Sequence, residues 1–172
     1  PMIANRPVTF ALKSGSLGYV STMTQTAELM GPPPLAVGSP ATNYHLGGAP
    51  IVVAPAATLG QGAFANSLLT VADTSPYIND RLNIQSAGGL VVSGSTLIYN
   101  GIVIGSFTAG RTVTVKFNAN ATQAGVLAVA QNITFTSIVA KPMTGNRGIS
   151  FHLRVGADGY VVTSNTTVKV TA

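Results

Sequence analysis

Four carboxylates (Glu28, Asp73, Asp80 and Asp158), two histidines (His45 and His152) and no cysteine make up this 172-residue chain's stock for acid–base and metal chemistry. A calcium site takes about six to eight oxygens with several carboxylates converging. Asp73 and Asp80 are the two candidates for a single ion, although Asp73 in Asp73-Thr-Ser-Pro76 and Asp158 before Gly159 also fit turns in which an aspartate bonds its own backbone. Neither histidine has an evident partner for metal binding or base catalysis, and His152 falls on the polar side of its segment. Serine is plentiful, yet no Gly-x-Ser-x-Gly elbow stands with a base and an acid in the right context. Neither Gly15-Ser-Leu-Gly18 nor Gly31-Pro-Pro-Pro34 follows a strand and opens a helix with a lysine, as a phosphate loop does. Disulfides, thiolate chemistry and cysteine-held zinc are excluded by composition. The residues therefore predict no catalytic set, no cofactor and a non-enzymatic protein.

Charge points the same way. Charged residues make up 8% of the chain against 46% hydrophobic, where a quarter charged is usual. The surface must be covered by Thr, Ser, Asn, Gln and Gly, a weak barrier to association, which favours a subunit of something larger. The net charge of +5 comes from scarce acids rather than abundant bases. The nine bases are scattered singly, without the clusters and interleaved aromatics of a nucleic-acid binder, so no nucleic-acid partner is expected. No run of about 18 apolar residues exists to span a bilayer, and no membrane partner is expected. The first residues lack the basic stretch and apolar core of an export signal, and Pro1 reads as the second residue of a gene product made without one. Asn120, Asn132 and Asn165 match the glycosylation acceptor pattern, which carries no weight without export.

The elements that would position these residues fall into two textures. Residues 1–48 hold six of the ten prolines, including Pro32, Pro33 and Pro34, and predict an extended arm. Its one regular stretch runs through Pro7, Val8, Thr9, Phe10, Ala11, Leu12 and Lys13. The arm is too apolar for a charged disordered tail. Either it lies on another surface, or it gives one edge strand to its own domain and is otherwise loop. Gly47-Gly-Ala-Pro50 is the expected hinge.

Residues 49–172 predict a sandwich. Arg111-Thr-Val-Thr-Val-Lys-Phe117 alternates strictly, with Val113, Val115 and Phe117 on one side; Gly148–Val155 does the same with Ile149, Phe151, Leu153 and Val155. Thr166–Thr171 reads as a last strand, and Gly156-Ala-Asp-Gly159 as the turn into Tyr160-Val-Val162. Gly94-Ser95 suits a type II′ hairpin turn, and Asn100-Gly101 is a strong hairpin signal, so three meandering strands run from Leu90 to Phe107. Asn120–Gln131 has helical composition, with Asn120 placed to cap and Gln123 three residues on. These signals predict an all-β, immunoglobulin-like Greek-key sandwich with one short crossover helix.

Four stretches together carry a family resemblance: Asp80-Arg-Leu-Asn-Ile-Gln85, Val92-Ser-Gly-Ser-Thr-Leu-Ile-Tyr-Asn-Gly-Ile-Val-Ile-Gly-Ser-Phe-Thr108, Val115-Lys-Phe-Asn-Ala-Asn-Ala-Thr122 and Asn132-Ile-Thr-Phe135. Over about residues 50–172 the chain resembles a cadherin-like repeat of very large bacterial surface proteins, cyanobacterial ones among them. The resemblance implies tandem copies and several aspartates near the domain ends for calcium; here Asp73, Asp80 and Asp158 stand in a single copy. As one copy behind an apolar arm, the chain resembles instead a decoration, or cement, protein of a bacteriophage capsid. That implies a structural protein on the virion surface, bound through the Pro7–Lys13 strand to the major capsid protein or like subunits, and a homo-oligomer, a trimer by analogy. The alternative is an extracellular adhesin or surface-filament module at the bacterial cell surface, binding carbohydrate or like subunits.

Overall fold

The computed structural model describes residues 2–14, 19–30, 35–38, 42–75, 77–138, 143–156 and 160–172. The chain forms two compact units, Pro1–Pro32 and Pro33–Ala172. The first is a hairpin of two long antiparallel strands, β1 (Met2–Ser14) and β2 (Tyr19–Met30), paired from Ala4↔Leu29 to Ser14↔Tyr19. The arm expected over residues 1–48 is thus more regular than its proline content implied. Pro32, Pro33 and Pro34 lie outside the described residues, and Thr, Val and aromatic residues between Pro7 and Pro32 supply ordinary strand formers.

The expected boundary at residue 48 moves to residue 32. In the second unit, β3 (Leu35–Ala36) and β4 (Thr42–His45) come before the predicted sandwich but belong to it. Leu35, Val37 and Tyr44 are buried in the core, so cutting before Ile51 would sever packed residues. There follow β5 (Ile51–Val52), β6 (Thr58–Leu59), β7 (Leu68–Asp73), β8 (Asp80–Ile84), β9 (Leu90–Ser93), β10 (Thr96–Tyr99), β11 (Ile102–Thr108) and β12 (Thr112–Phe117). The helix α1 (Gln123–Gln131) then leads to β13 (Ile133–Ser137), β14 (Gly145–Val155) and β15 (Tyr160–Thr171). An eight-stranded sheet runs β4-β15-β14-β7-β12-β11-β10-β9. All its pairs are antiparallel except β4 with β15. A three-stranded sheet, β5-β13-β8, and the short pair β3-β6 complete an all-β sandwich around one apolar core.

Local chemistry accounts for the connections. Gly94 has φ 57° while Ser95 stays at negative φ, the pattern of a type II′ turn; Asn100 (φ 50°) and Gly101 (φ 83°) both lie in the left-handed region, as a type I′ turn requires. The three-strand meander follows in the expected register, Ser93↔Thr96 and Tyr99↔Ile102. Val113, Val115, Ile149, Phe151 and Leu153 are all at most 1% exposed, so the period-2 reading placed the core correctly. The helix starts later than expected. Thr122, not Asn120, caps it by accepting from the Gly125 N–H at 3.2 Å. Asn118 and Asn120 instead donate side-chain hydrogen bonds to the Val103 carbonyl, fastening the helix approach to β11. Tyr160–Val162 and Thr166–Thr171 are one continuous strand rather than two; Asp158 lies outside the described residues.

Candidate functional site

Three places combine exposed or charged chemistry with a defined geometry, beginning with the hairpin. In its register Ala4, Val8, Phe10 and Leu12 oppose Leu29, Gln25, Met23 and Ser21, while Pro7, Thr9, Ala11 and Lys13 oppose Thr26, Thr24, Thr22 and Val20. Directly opposed residues share a face. Thr9 and Thr24, directly opposed, are both exposed, with their hydroxyls 3.4 Å apart. The segment Pro7–Lys13 is thereby already paired along one edge by β2. Proline inside a strand is tolerated on an unpaired edge because it has no N–H to give, so Pro7 marks the outer edge of β1 as a poor template for a further strand. The outer edge of β2 has no proline.

The second place is a buried charge cluster at one end of the sandwich. Asp73 carries on the inward alternation of Leu69 and Val71, Asp80 that of Leu82 and Ile84, Arg111 that of Val113 and Val115, and Arg147 that of Ile149 and Phe151. Strand parity thus delivers two acids and two guanidinium groups to the same end. Arg147 Nε donates to Asp80 Oδ2 at 2.6 Å, with both side chains 1% exposed. Arg147 Nη2 donates to the Met143 carbonyl at 2.6 Å, and the guanidinium stacks 3.6 Å over the Tyr77 ring. Arg111 Nη2 donates to the Ser75 carbonyl. Asp73 Oδ1 accepts from the Ser75 N–H at 2.8 Å, closing the turn that its sequence predicted.

As metal candidates, Asp73 and Asp80 are brought together, but with Arg111 and Arg147 rather than with further oxygens. Among the described residues no group of three metal-ligating side chains exists. A cation placed between the two carboxylates would face two guanidinium groups.

Burial raises the Asp73 carboxyl above its ordinary value of 3.8; the Ser75 hydrogen bonds pull it back, Asp80 adds to the rise and Arg111 opposes it. A carboxyl raised in the folded state binds its proton more tightly there than in the unfolded chain. Its contribution to stability is therefore greatest at acid pH and falls as pH climbs from about 3.8 through the folded value. Asp73→Asn keeps the acceptor for Ser75 and removes the ionisation. Thermal melts should place this variant above wild type at about pH 7 and level with it at about pH 3. A difference that stays constant with pH would show that the fold does not sense this carboxyl.

The third place is the outer face of the eight-stranded sheet, where His152 stands exposed as expected. It is not partnerless: Ser150 Oγ lies 2.7 Å from Nε2 and Thr163 Oγ1 lies 3.1 Å from Nδ1. The signal for this was the i, i+2 spacing along one strand face, with Thr163 directly opposite His152 in register. The trio is not arranged as a nucleophile set. Ser150 is 6% exposed beneath its neighbours, no carboxylate orients the imidazole, and β14 is paired on both sides by β7 and β15. Its backbone N–H groups are therefore committed to ladders and cannot serve an oxyanion. His45, exposed on β4, places Nδ1 3.2 Å from its neighbour's carbonyl, Leu46 O. No model of a known protein family and no curated protein matches this chain.

Proposed function

We propose that this chain is a non-enzymatic structural subunit that attaches to a larger assembly through its β1–β2 hairpin, as a capsid decoration protein does, and presents its sandwich as a compact knob. The observation that carries this reading is the hairpin itself: a compact unit of two paired strands of 13 and 12 residues, with apolar Val8, Phe10 and Leu12 at alternate positions of the first. An isolated two-stranded hairpin is at best marginally stable in water, and an amphipathic sheet needs a second layer against its apolar face. A shell subunit supplies that layer. Twelve residue pairs at about 3.4 Å each give the hairpin a reach of roughly 40 Å. The prolineless outer edge of β2 offers main-chain hydrogen bonds that need no charge, and the cationic balance of the chain suits a negative exterior.

The partner is tested first by gene neighbourhood, where shell and tail genes beside this one are expected and their absence would overturn the capsid partner. The attachment is tested by co-sedimentation with capsids assembled from the neighbouring shell gene. The wild-type chain should pellet with the capsids, while a Phe10→Asp, Leu12→Asp variant should stay in the supernatant with an unchanged sandwich melt. If the variant pellets as fully as wild type, the hairpin is not the anchor.

A further inference from the structure

The outer face of the large sheet carries the exposed Lys116, Arg154 and Lys169 and no described acid. Register sets Ser106, Lys116, Leu68 and Arg154 in one row across β11, β12, β7 and β14. The next row holds Thr108, Thr114, Thr70 and His152. Lys116 and Arg154 are both exposed and stand two strands apart, roughly 10 Å. The two described acids of the sandwich, Asp73 and Asp80, are 8% and 1% exposed and point into the core. The one ion pair among the described residues is the buried one between Arg147 and Asp80. Among the described residues Lys116 therefore has no anion of its own.

Between the two rows lies a shallow cleft of about 460 Å³ lined by Ser95, Ser106, Phe107, Thr108, Thr114 and Lys116. Four hydroxyls and one ammonium converge there, while the Phe107 side chain, opposite Val115, turns into the core and leaves only its backbone to the cleft. A hydroxyl both donates and accepts. Lined this way, a cleft matches a ligand that is itself rich in hydroxyls and carries one negative charge per residue.

We propose that this cleft binds an acidic carbohydrate, with a sugar carboxylate on Lys116 Nζ, sugar hydroxyls on Ser95, Ser106, Thr108 and Thr114, and Arg154 within reach of the carboxylate of a following sugar. A few precisely placed polar groups are what fixes orientation and specificity in a small-ligand site. A nucleic acid fits less well: it would need cations closely spaced along its phosphates and aromatic faces for its bases, and the cleft presents no aromatic face. The site adds a recognition role to the knob and does not depend on what the hairpin holds.

Calorimetric titration of the full chain tests it, using tetragalacturonate and sialyllactose as acidic probes, maltotetraose as the neutral one and a thymidine tetranucleotide as the non-sugar anion. At least one acidic saccharide should bind more tightly than either control. Lys116→Ala should weaken it roughly tenfold, the scale of one charge-assisted hydrogen bond. Lys169→Ala, exposed on the same face but outside the cleft, should change it by less than about twofold if the cleft, rather than diffuse charge, holds the ligand. Both substitutions are at exposed positions, so thermal melts should match wild type and remove misfolding as an explanation. Three results overturn the proposal: neither acidic saccharide binds at millimolar concentration, the two lysine variants lose affinity equally, or maltotetraose or the oligonucleotide binds as tightly as the acidic sugars.

Discussion

A chain cut after Pro32 should fold as cooperatively as the full protein, and a chain cut after Gly48 should not. The difference is sixteen residues that look like linker in the sequence. Within them β4 lies parallel to β15, Val168↔Thr42 through Thr171↔His45, and forms the edge of the large sheet. Tyr44, 1% exposed, meets the Phe135 ring edge-on with centroids 5.3 Å apart, which ties the large sheet to the small one. Its hydroxyl is 3.2 Å from Thr136 Oγ1 and donates to the Ser137 carbonyl at 3.4 Å. Leu35 and Val37 are buried too, and the Val37 N–H donates to Ser164 Oγ. Removing one buried aromatic or leucine costs about 2–5 kcal/mol; losing Tyr44, Leu35 and Val37 together is comparable with the whole stability of an ordinary domain, about 5–15 kcal/mol. Urea denaturation followed by far-ultraviolet circular dichroism reads the outcome. The 33–172 fragment should show one sigmoidal transition near that of the full chain, and the 49–172 fragment a lowered or absent one. If 49–172 unfolds at the same midpoint as 33–172, then β3 and β4 are appendages rather than parts of the core.

Which parts of this architecture can be read from residues alone follows from the range of the forces involved. Turns at Gly94-Ser95 and Asn100-Gly101 are decided by backbone conformations that few residues adopt, and strands such as Thr112–Phe117 by alternation over adjacent positions. Both are local and legible. The role of β4 is not local, because Thr42-Asn-Tyr-His45 is held by a strand more than a hundred residues away, and its short alternation is lost among neighbouring prolines and glycines. The hairpin fell between these cases. Val8, Phe10 and Leu12 alternate, but half of the matching strand is threonine, glutamine and methionine, and only the pairing shows which segment meets them. The charge cluster was hidden by a boundary: with the last long inward run started at Gly148, Arg147 stands one residue outside it and reads as loop. Extending the same period by one step puts Arg147 in the core and raises at once the question of its counter-ion. Asp80 then stands out as the acid that begins a strand whose alternate positions, Leu82 and Ile84, are also buried.

Arg147 and Asp80 should each be costly to replace singly and cheap to replace together. The pair is fully enclosed, and each partner leaves one buried atom, Arg147 Nη1 and Asp80 Oδ1, without a hydrogen bond from the described residues. Removing Asp80 strands a guanidinium in the core, held by the Met143 carbonyl and the Tyr77 ring but by no anion. Removing Arg147 strands a carboxylate instead and frees the segments that carry Tyr77 and Met143. Breaking a buried pair from one side costs about 3–5 kcal/mol, whereas well-packed apolar replacements on both sides are often neutral or better. Asp80→Val and Arg147→Met should therefore each lower the unfolding free energy by about that amount, and the double variant should recover most of it. Urea titration of the four proteins closes the cycle. If the losses add, the two side chains act independently and the 2.6 Å contact contributes nothing specific. If they cancel, the cluster's charges are held by each other alone. Asp80 would then not be free to take a metal, and the surfaces the sandwich offers to partners include the cationic, hydroxyl-lined sheet face and the exposed Ile78, Ile138 and Met143 around the cluster.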